Sequence, residues 1–447
     1  MSQSATAPIG FAGVGPLPLG VDFLGGRLGG RLTSDGGLAW LAEADRVLGV
    51  TAALAAVIPD WRTRRGRHDL PTLVAQRIYQ IACGYEDQDD ADSLRTDPLL
   101  KHVCGRLPET GPDLASQPTF SRLENAVDAR TCYRVAAALG EVYLRERERD
   151  GVPTHLVLDL DGTDDPTYGD QEGTAYHGYF RQHQYFPLLV FDGETNQLVT
   201  AVLRRGTVHA SHGTVAILRR IVTAVRARWP GVTLELRADS GFAIPALYDY
   251  CEAEGIAYTI GLVPNPRLAV AVAPLLADAA RQSVAAGGAK VRLLGETTYQ
   301  AGSWPQARRV VMKAEALPKG PNTRFVVTTR TGPAETVYDW YTDRGESENW
   351  IKDLKAGCFA DRLSCHRFWA NQFRLLLHAA AYWLLDTLRR WLRRAGVDRT
   401  TLATLRLRLI KIGGWVREHA DRVRLRLASS HPSEAWWRAL ASRHQAS

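Results

Sequence analysis

The stretch from His155 to Val263 constrains the fold most. HLVLDLDGT reads as a strand, with Leu156, Leu158 and Leu160 on one face and Val157, Asp159 and Asp161 on the other. QYFPLLVFDGETNQLVTAVLRRGT follows as two strands joined by a glycine-containing turn. TVAILRRIVTAVRARW then carries helical periodicity. VTLELRADSGF is a strand ending on Asp239, IPALYDYCEAEG a helix and IAYTIGLV a strand. Three strands, a helix, a strand, a helix and a strand predict an α/β sheet with an antiparallel start. Side chains at the ends of neighbouring strands converge on one edge of such a sheet, which makes Asp161 and Asp239 candidate partners. Asp159 shares the strand face of Asp161 and competes with it. Asp164 and Asp165 fall in the following loop, where an acid caps or shields.

Around this stretch the texture differs. Residues 1–30 are rich in Gly and Pro and read as an extended arm. Residues 31–150 are helical in pattern and are expected to form a DNA-binding domain, with Ser34 and Asp35 as caps of its first helix. Within it, DLASQPTFSRLENAV reads as a turn into a helix capped by Ser116 or Thr119. Arg122 and Asn125 fall on its exposed face, compatible with a helix-turn-helix reader. Residues 265–335 begin with an Ala-rich helix and continue as strand-like pieces, a mainly β insertion that divides the α/β core into 151–264 and 336–395. HRFWANQFRLLLHAAAYWLLDTLRRWLRR is strongly helical. The tail, 396–447, is mixed and basic: between Arg389 and Arg426 stand twelve Lys or Arg against three Asp or Glu, a solvated basic face or a DNA-tracking one.

The net charge of +7 and pI near 9.1 favour a polyanionic partner. No apolar run reaches the ~18 residues that span a bilayer; the best candidate, Leu375 to Leu388, contains His378 and Asp386. The N-terminus lacks the charged and apolar regions of a signal peptide. These readings predict a cytoplasmic, nucleoid-associated protein with no membrane partner. Six cysteines form no CxxC pair. Cys358, Cys365 and His366 make at most half a zinc site, and reduced thiols are expected.

The chemistry concentrates in YTDRGESENWIKDLKAG. Arg344, Glu348 and Lys355 follow Tyr341 at offsets of 3, 7 and 14. At about 100° per residue, a continuous helix gathers all four within an arc of roughly 60°. A phenol, an acid and two cations on one stripe suit a metal ion beside a phosphate backbone. With Asp161 and Asp239 at the sheet edge, Glu348 supplies a third carboxylate. Three carboxylates can hold two divalent cations roughly 3.5–4 Å apart for in-line phosphoryl transfer on DNA. All-oxygen ligation points to Mg²⁺, with Mn²⁺ able to substitute.

The pieces GYEDQDDADSLRTDP, LASQPTFSRLEN, LDLDGTDDPTYGDQE, LRADSGF, YTDRGESENWIKDLKAG and DRLSCHRFWANQFRLLLHAAAYWLL together resemble DDE transposases of bacterial insertion sequences. The wider texture is similar to the insertion-sequence family numbered thirteen-eighty, with its Tyr-Arg-Glu-Lys signature, from about residue 30 to 390. The resemblance implies an RNase H-like catalytic core interrupted by the β insertion, with a helical N-terminal domain and a mixed basic C-terminal region. It implies Asp161, Asp239 and Glu348 as the catalytic, metal-binding triad. Tyr341 and Arg344 would grip the DNA end and Lys355 a backbone phosphate, with Lys352 beside it. Relatives can form hairpin ends in which a flipped base stacks on an aromatic ring. Trp304, in the polar loop-like AGSWPQ, is the candidate for that role. The expected protein binds terminal inverted repeats, frees 3′-hydroxyl ends and joins them to target DNA as a homodimer on paired ends. The alternatives are a structure-specific DNA nuclease on the same fold and a catalytically inactive DNA-binding descendant.

Overall fold

The computed structural model describes residues 9–11, 19–21, 32–62, 66–428 and 431–444. Most of the expected N-terminal arm lies outside the described residues; Ile9–Phe11 and Leu19–Val21 pair as antiparallel strands.

A mixed sheet of eight strands organises the molecule. Its strands are β1 His155–Gly162, β2 Leu188–Asp192, β3 Leu198–Val202, β4 Thr233–Ala238, β5 Ala257–Leu262, β6 Val291–Tyr299, β7 Arg308–Leu317 and β8 Gly320–Thr328. They lie in the order β6-β7-β8-β5-β4-β1-β2-β3. β1, β4 and β5 run parallel, and β2, β3 and the β6–β8 meander are antiparallel to their neighbours. The helices Thr214–Arg228 and Pro245–Ala253 make the crossovers expected before β4 and β5. Every residue from Leu156 to Asp161 is buried, so both faces of β1 are covered, as parallel strands require.

The insertion extends the core sheet, because β8 pairs with β5 from Thr259↔Thr328 to Leu262↔Phe325. Its helix Pro266–Ala285 lies along β6 and β7, burying Leu268, Val272 and Ala279. This helix is long and apolar enough, by length and composition alone, to cross a membrane, which corrects the expectation that no such run exists. Arg267, Asp278 and Arg281 interrupt its apolar run in the sequence, although none of the three is buried. Trp304 also departs from expectation. It is 6% exposed and packs edge-on against Tyr248 and Tyr299, with ring centroids 5.3 and 5.4 Å away. Arg308 lies over both Trp304 and Tyr248 while pairing with Asp249 and Glu252. Trp304 thus pins the insertion to the helix Pro245–Ala253 and is no exposed stacking platform.

The 27-residue helix Phe368–Arg394 is buried on all sides from Ala370 to Arg389. It packs on the helices Leu70–Cys83 and Ala129–Arg147 and on β3. One hydrophobic cluster therefore joins the N-terminal helices to the sheet. Ser34 and Asp35 do not cap the first helix, Leu38–Leu48, whose N-cap is Gly37 without a side-chain bond. The Asp35 carboxylate is taken instead by Lys411 at 2.8 Å and by the Tyr85 hydroxyl at 2.8 Å. The tail closes back on the N-terminal part: Gly414–Glu418 pairs with Val423–Leu427 on one side and with Leu32–Thr33 on the other. All six cysteines are free and buried, and His366 bonds the Asp170 carbonyl, so no zinc cluster forms among the described residues.

Candidate active site

Strand register brings the first two acids together. β1 and β4 pair in parallel with Asp159 opposite Arg237 and Leu160 opposite Ala238. Asp161 and Asp239, one residue further along each strand, stand level at the same sheet edge. Asp161 is 8% exposed. Burial pushes its carboxyl up to about 6, and the charges of Asp239 and Glu348 add to the rise against the opposing pull of Arg344. The Asp239 side chain is 43% exposed and accepts a hydrogen bond from the Gly241 N–H at 2.8 Å, which starts a 3₁₀ turn over Ser240–Phe242.

The competitor Asp159 is fully buried and held by Arg237, whose Nε and Nη2 donate to Oδ1 and Oδ2 at 2.6 and 2.7 Å. The Arg237 Nη1 donates to the Trp340 carbonyl at 2.9 Å, and its guanidinium lies 4.9 Å from the Trp340 ring, which Arg330 covers at 4.1 Å. Asp159 therefore belongs to an internal clasp that seats the segment before Tyr341 against the sheet. Asp159 and Arg237 each stand two positions before one of the paired acids, but only the strand register shows that they face each other.

The signature segment is not one uniform helix. It comprises an α-helix Ala334–Thr342, a 3₁₀ turn Asp343–Gly345, an α-helix Glu346–Lys352 and a π turn Asp353–Gly357. A tighter turn and a wider one break the 100° step on which the predicted arc depends. Tyr341, in the last turn of the first helix, lies so close to Gly261 of β5 that a side-chain carbon there would come 2.8 Å from its hydroxyl. Arg344 reaches the acids directly: its Nη2 is 2.9 Å from Asp161 Oδ2 and 3.9 Å from Asp239 Oδ2. Its Nε is buried and has no partner among the described residues.

Glu348 is exposed, and its charge is felt at Asp161. Among the described residues no three acid, histidine or cysteine side chains converge closely enough to hold one ion. Asp161 and Asp239 meet across Arg344, with Glu348 outside that contact. Lys355 donates to the Asp164 carbonyl at 2.8 Å and to Oδ1 at 2.9 Å, tying the π turn to the loop after β1. Lys352 is exposed on the helix Glu346–Lys352, and Arg122 is exposed on the helix Gln117–Ala126.

Two further groups flank Asp161. Gly162 lies against the Phe186 ring, where a side-chain carbon would approach within 2.9 Å, and 3.3 Å from Arg204 Nη2. Arg204 is buried, donates to the carbonyls of Phe186, Ala210 and His212, and keeps Nη2 without a partner among the described residues. Burial alone pulls its pKa down to about 10.

The family described as transposase DDE domain group 1 matches residues 23–447. A cryo-EM structure of the piggyBac transposase synaptic complex with hairpin DNA is similar over 84% of this chain and 79% of that one, at 12% identity and a TM-score of 0.45. No curated protein sequence matches.

Proposed function

Since the chain belongs to the DDE transposase family of domain group 1, we propose that it is a DNA transposase with Asp161, Asp239 and Glu348 as its acids. It binds the terminal inverted repeats of its own insertion sequence, of the thirteen-eighty kind, as a homodimer on paired ends in the cytoplasm. It hydrolyses each end to free a 3′-hydroxyl. That hydroxyl then attacks a phosphodiester of target DNA, with no covalent protein–DNA intermediate.

The observation that carries this reading is the pair of acids, level on neighbouring parallel strands and bridged by the arginine of the signature segment. The five strands β1–β5, in the order β3-β2-β1-β4-β5 with β2 reversed, support an RNase H-like core. The donor set fits a hard divalent cation, because every candidate ligand is a carboxylate oxygen. Burial and the neighbouring acids keep the Asp161 pKa raised even with Arg344 beside it. Asp161 and Asp239 would hold Mg²⁺, as two ions replaceable by Mn²⁺, with Glu348, which stands outside their contact, drawn in as the third ligand. When bound, the ions supply Lewis-acid activation of the attacking oxygen and charge stabilisation of the leaving one. The chain's own work is orientation. Arg344, with Tyr341 behind it, carries positive charge to the sheet edge where the scissile phosphate docks. Lys355 and Lys352 offer charge to the backbone further along.

Glu348→Ala tests the assignment. Metal-dependent cleavage of DNA carrying the element's ends should disappear while affinity for that DNA stays within about twofold, since removing one carboxylate leaves every cation that meets a phosphate in place. A variant that cuts as well as the parent overturns the triad. Pre-cut ends incubated with a plasmid separate transposition, which yields joined products, from simple nuclease action.

A further inference from the structure

Between β1 and β2 the chain makes a small hairpin of its own, Ala175–His177 paired with Gln182–Tyr185. Its turn, residues 178–181, closes with Arg181 in the left-handed region at φ 56° and the Arg181 N–H on the His177 carbonyl. Its second strand is anchored at both ends: beside the turn Gln182 Nε2 donates to Asp164, and at the base the Tyr185 hydroxyl donates to the Glu172 carbonyl. The tip is not covered. Of the five large aromatic side chains exposed among the described residues, three lie on this hairpin, Tyr176, Tyr179 and Phe180, and a fourth, Tyr168, in the loop that leads to it. Tyr179 is 84% exposed.

These rings continue inward as a ladder. Tyr179 meets Phe180 at 5.0 Å between centroids, Phe180 meets His177 at 5.1 Å, and His177 stacks on Phe186 at 5.7 Å and 28°. Phe186 rests on Gly162, the neighbour of Asp161, and Arg204 lies 5.2 Å from its centroid. Aromatic faces therefore lead from the paired acids to a solvent-facing tip that carries Arg181.

We propose that this hairpin is a stacking platform for unpaired bases of the DNA strand that leaves the acid pair. The inference rests on the proposed reading of Asp161 and Asp239 as the site of DNA cleavage. Every base has a π face, so bare rings accept any sequence, and neighbouring arginines steer the backbone. A polyanionic partner matches the net charge of +7 and the exposed Arg181 at the tip, and Arg204 beneath the ladder has no carboxylate on it among the described residues. The exposed rings of the hairpin have His177, Arg181 and His183 as neighbours and no exposed aliphatic side chain among them, which favours stacked bases over a protein partner.

The test compares a blunt DNA duplex with one of the same sequence bearing a short single-stranded overhang that contains a fluorescent adenine analogue. The parent should prefer the overhang by about fivefold or more and quench the analogue. Tyr179→Ala should erase the preference and the quenching without changing affinity for the blunt duplex. Tyr179→Trp should keep both, and Tyr133→Ala, at an exposed ring elsewhere, should change neither. Phe180→Ala should act like Tyr179→Ala, with its melting curve recorded because Phe180 is only partly exposed. A parent that cleaves DNA while Tyr179→Ala binds and quenches like it overturns the platform and leaves the cleavage reading standing. A change of oligomeric mass in Tyr179→Ala, with DNA binding unaltered, overturns it in favour of a contact between copies. Cleavage surviving Glu348→Ala instead sinks the functional reading itself.

Discussion

Arg237 and Asp159 are joined by two hydrogen bonds, and neither side chain reaches water. Removing one partner of such a pair leaves an uncompensated buried charge. Arg237→Ala should cost about 3–5 kcal/mol in denaturant unfolding. The double variant Arg237→Met, Asp159→Leu should recover most of that loss. Asp161, two residues on, carries a different burden. Its pKa moves from 3.8 to about 6. Below about pH 4 folded and unfolded chains both hold the proton. As pH rises, the unfolded chain releases it first, so the folded state loses about 3 kcal/mol from this group by the time pH passes 6, at about 1.36 kcal/mol per unit. Asp161→Asn should remove that decline from the stability profile. Added Mg²⁺ should raise the melting temperature at about pH 7.5 and much less at about pH 5, where the proton competes, and the Asn variant should not respond. The sequence offered Asp159 and Asp161 as equals because both lie on one strand face. What separates them is a partner, Arg237, supplied by a strand far along the chain, and cross-strand register is invisible until the sheet is assembled.

At the level of elements, the main strands and helices between 155 and 262 form where their hydrophobic patterns mark them, although β1 and β2 are buried on both faces and the hairpin of residues 175–185 carried no such mark. Periodicity failed where tertiary partners decide. The cap foreseen at Ser34 and Asp35 gave way to Lys411 and Tyr85. The stripe from Tyr341 to Lys355 crosses a 3₁₀ and a π turn, so its members separate into groups facing the acids, the solvent and Asp164. Turn type along a helical run depends on what the run packs against, which local composition does not encode. Trp304 illustrates the same limit: its polar neighbours suggested a loop tip, yet Tyr248, Tyr299 and Arg308 enclose it. Trp304→Ala should therefore lower stability by about 3–5 kcal/mol in thermal or denaturant unfolding. At temperatures where the variant remains folded, its affinity for DNA overhangs should match the parent's; a selective loss of overhang binding would restore Trp304 to a stacking role.

Across the whole molecule, positive charge gathers on the two-stranded ribbon of residues 414–427. Arg417 stands opposite Arg424, and Arg426 opposite Trp415. All three arginines are exposed. If this ribbon tracks the backbone, changing Arg417, Arg424 and Arg426 to Gln should flatten the slope of log affinity against log salt by about 0.9 for each phosphate no longer neutralised. A slope equal to the parent's assigns the ribbon to solvent. The basic tail was legible as composition, but its geometry was not, because Gly414 and Trp415 form their outer ladder with Thr33 and Leu32. That ladder has a consequence for biosynthesis. A ribosome delivers Thr33 long before Trp415, so the three-stranded sheet waits for all the residues between them to emerge. A product released before Trp415 can never complete it, and translation through Trp415 becomes a physical condition for fastening these distant strands together.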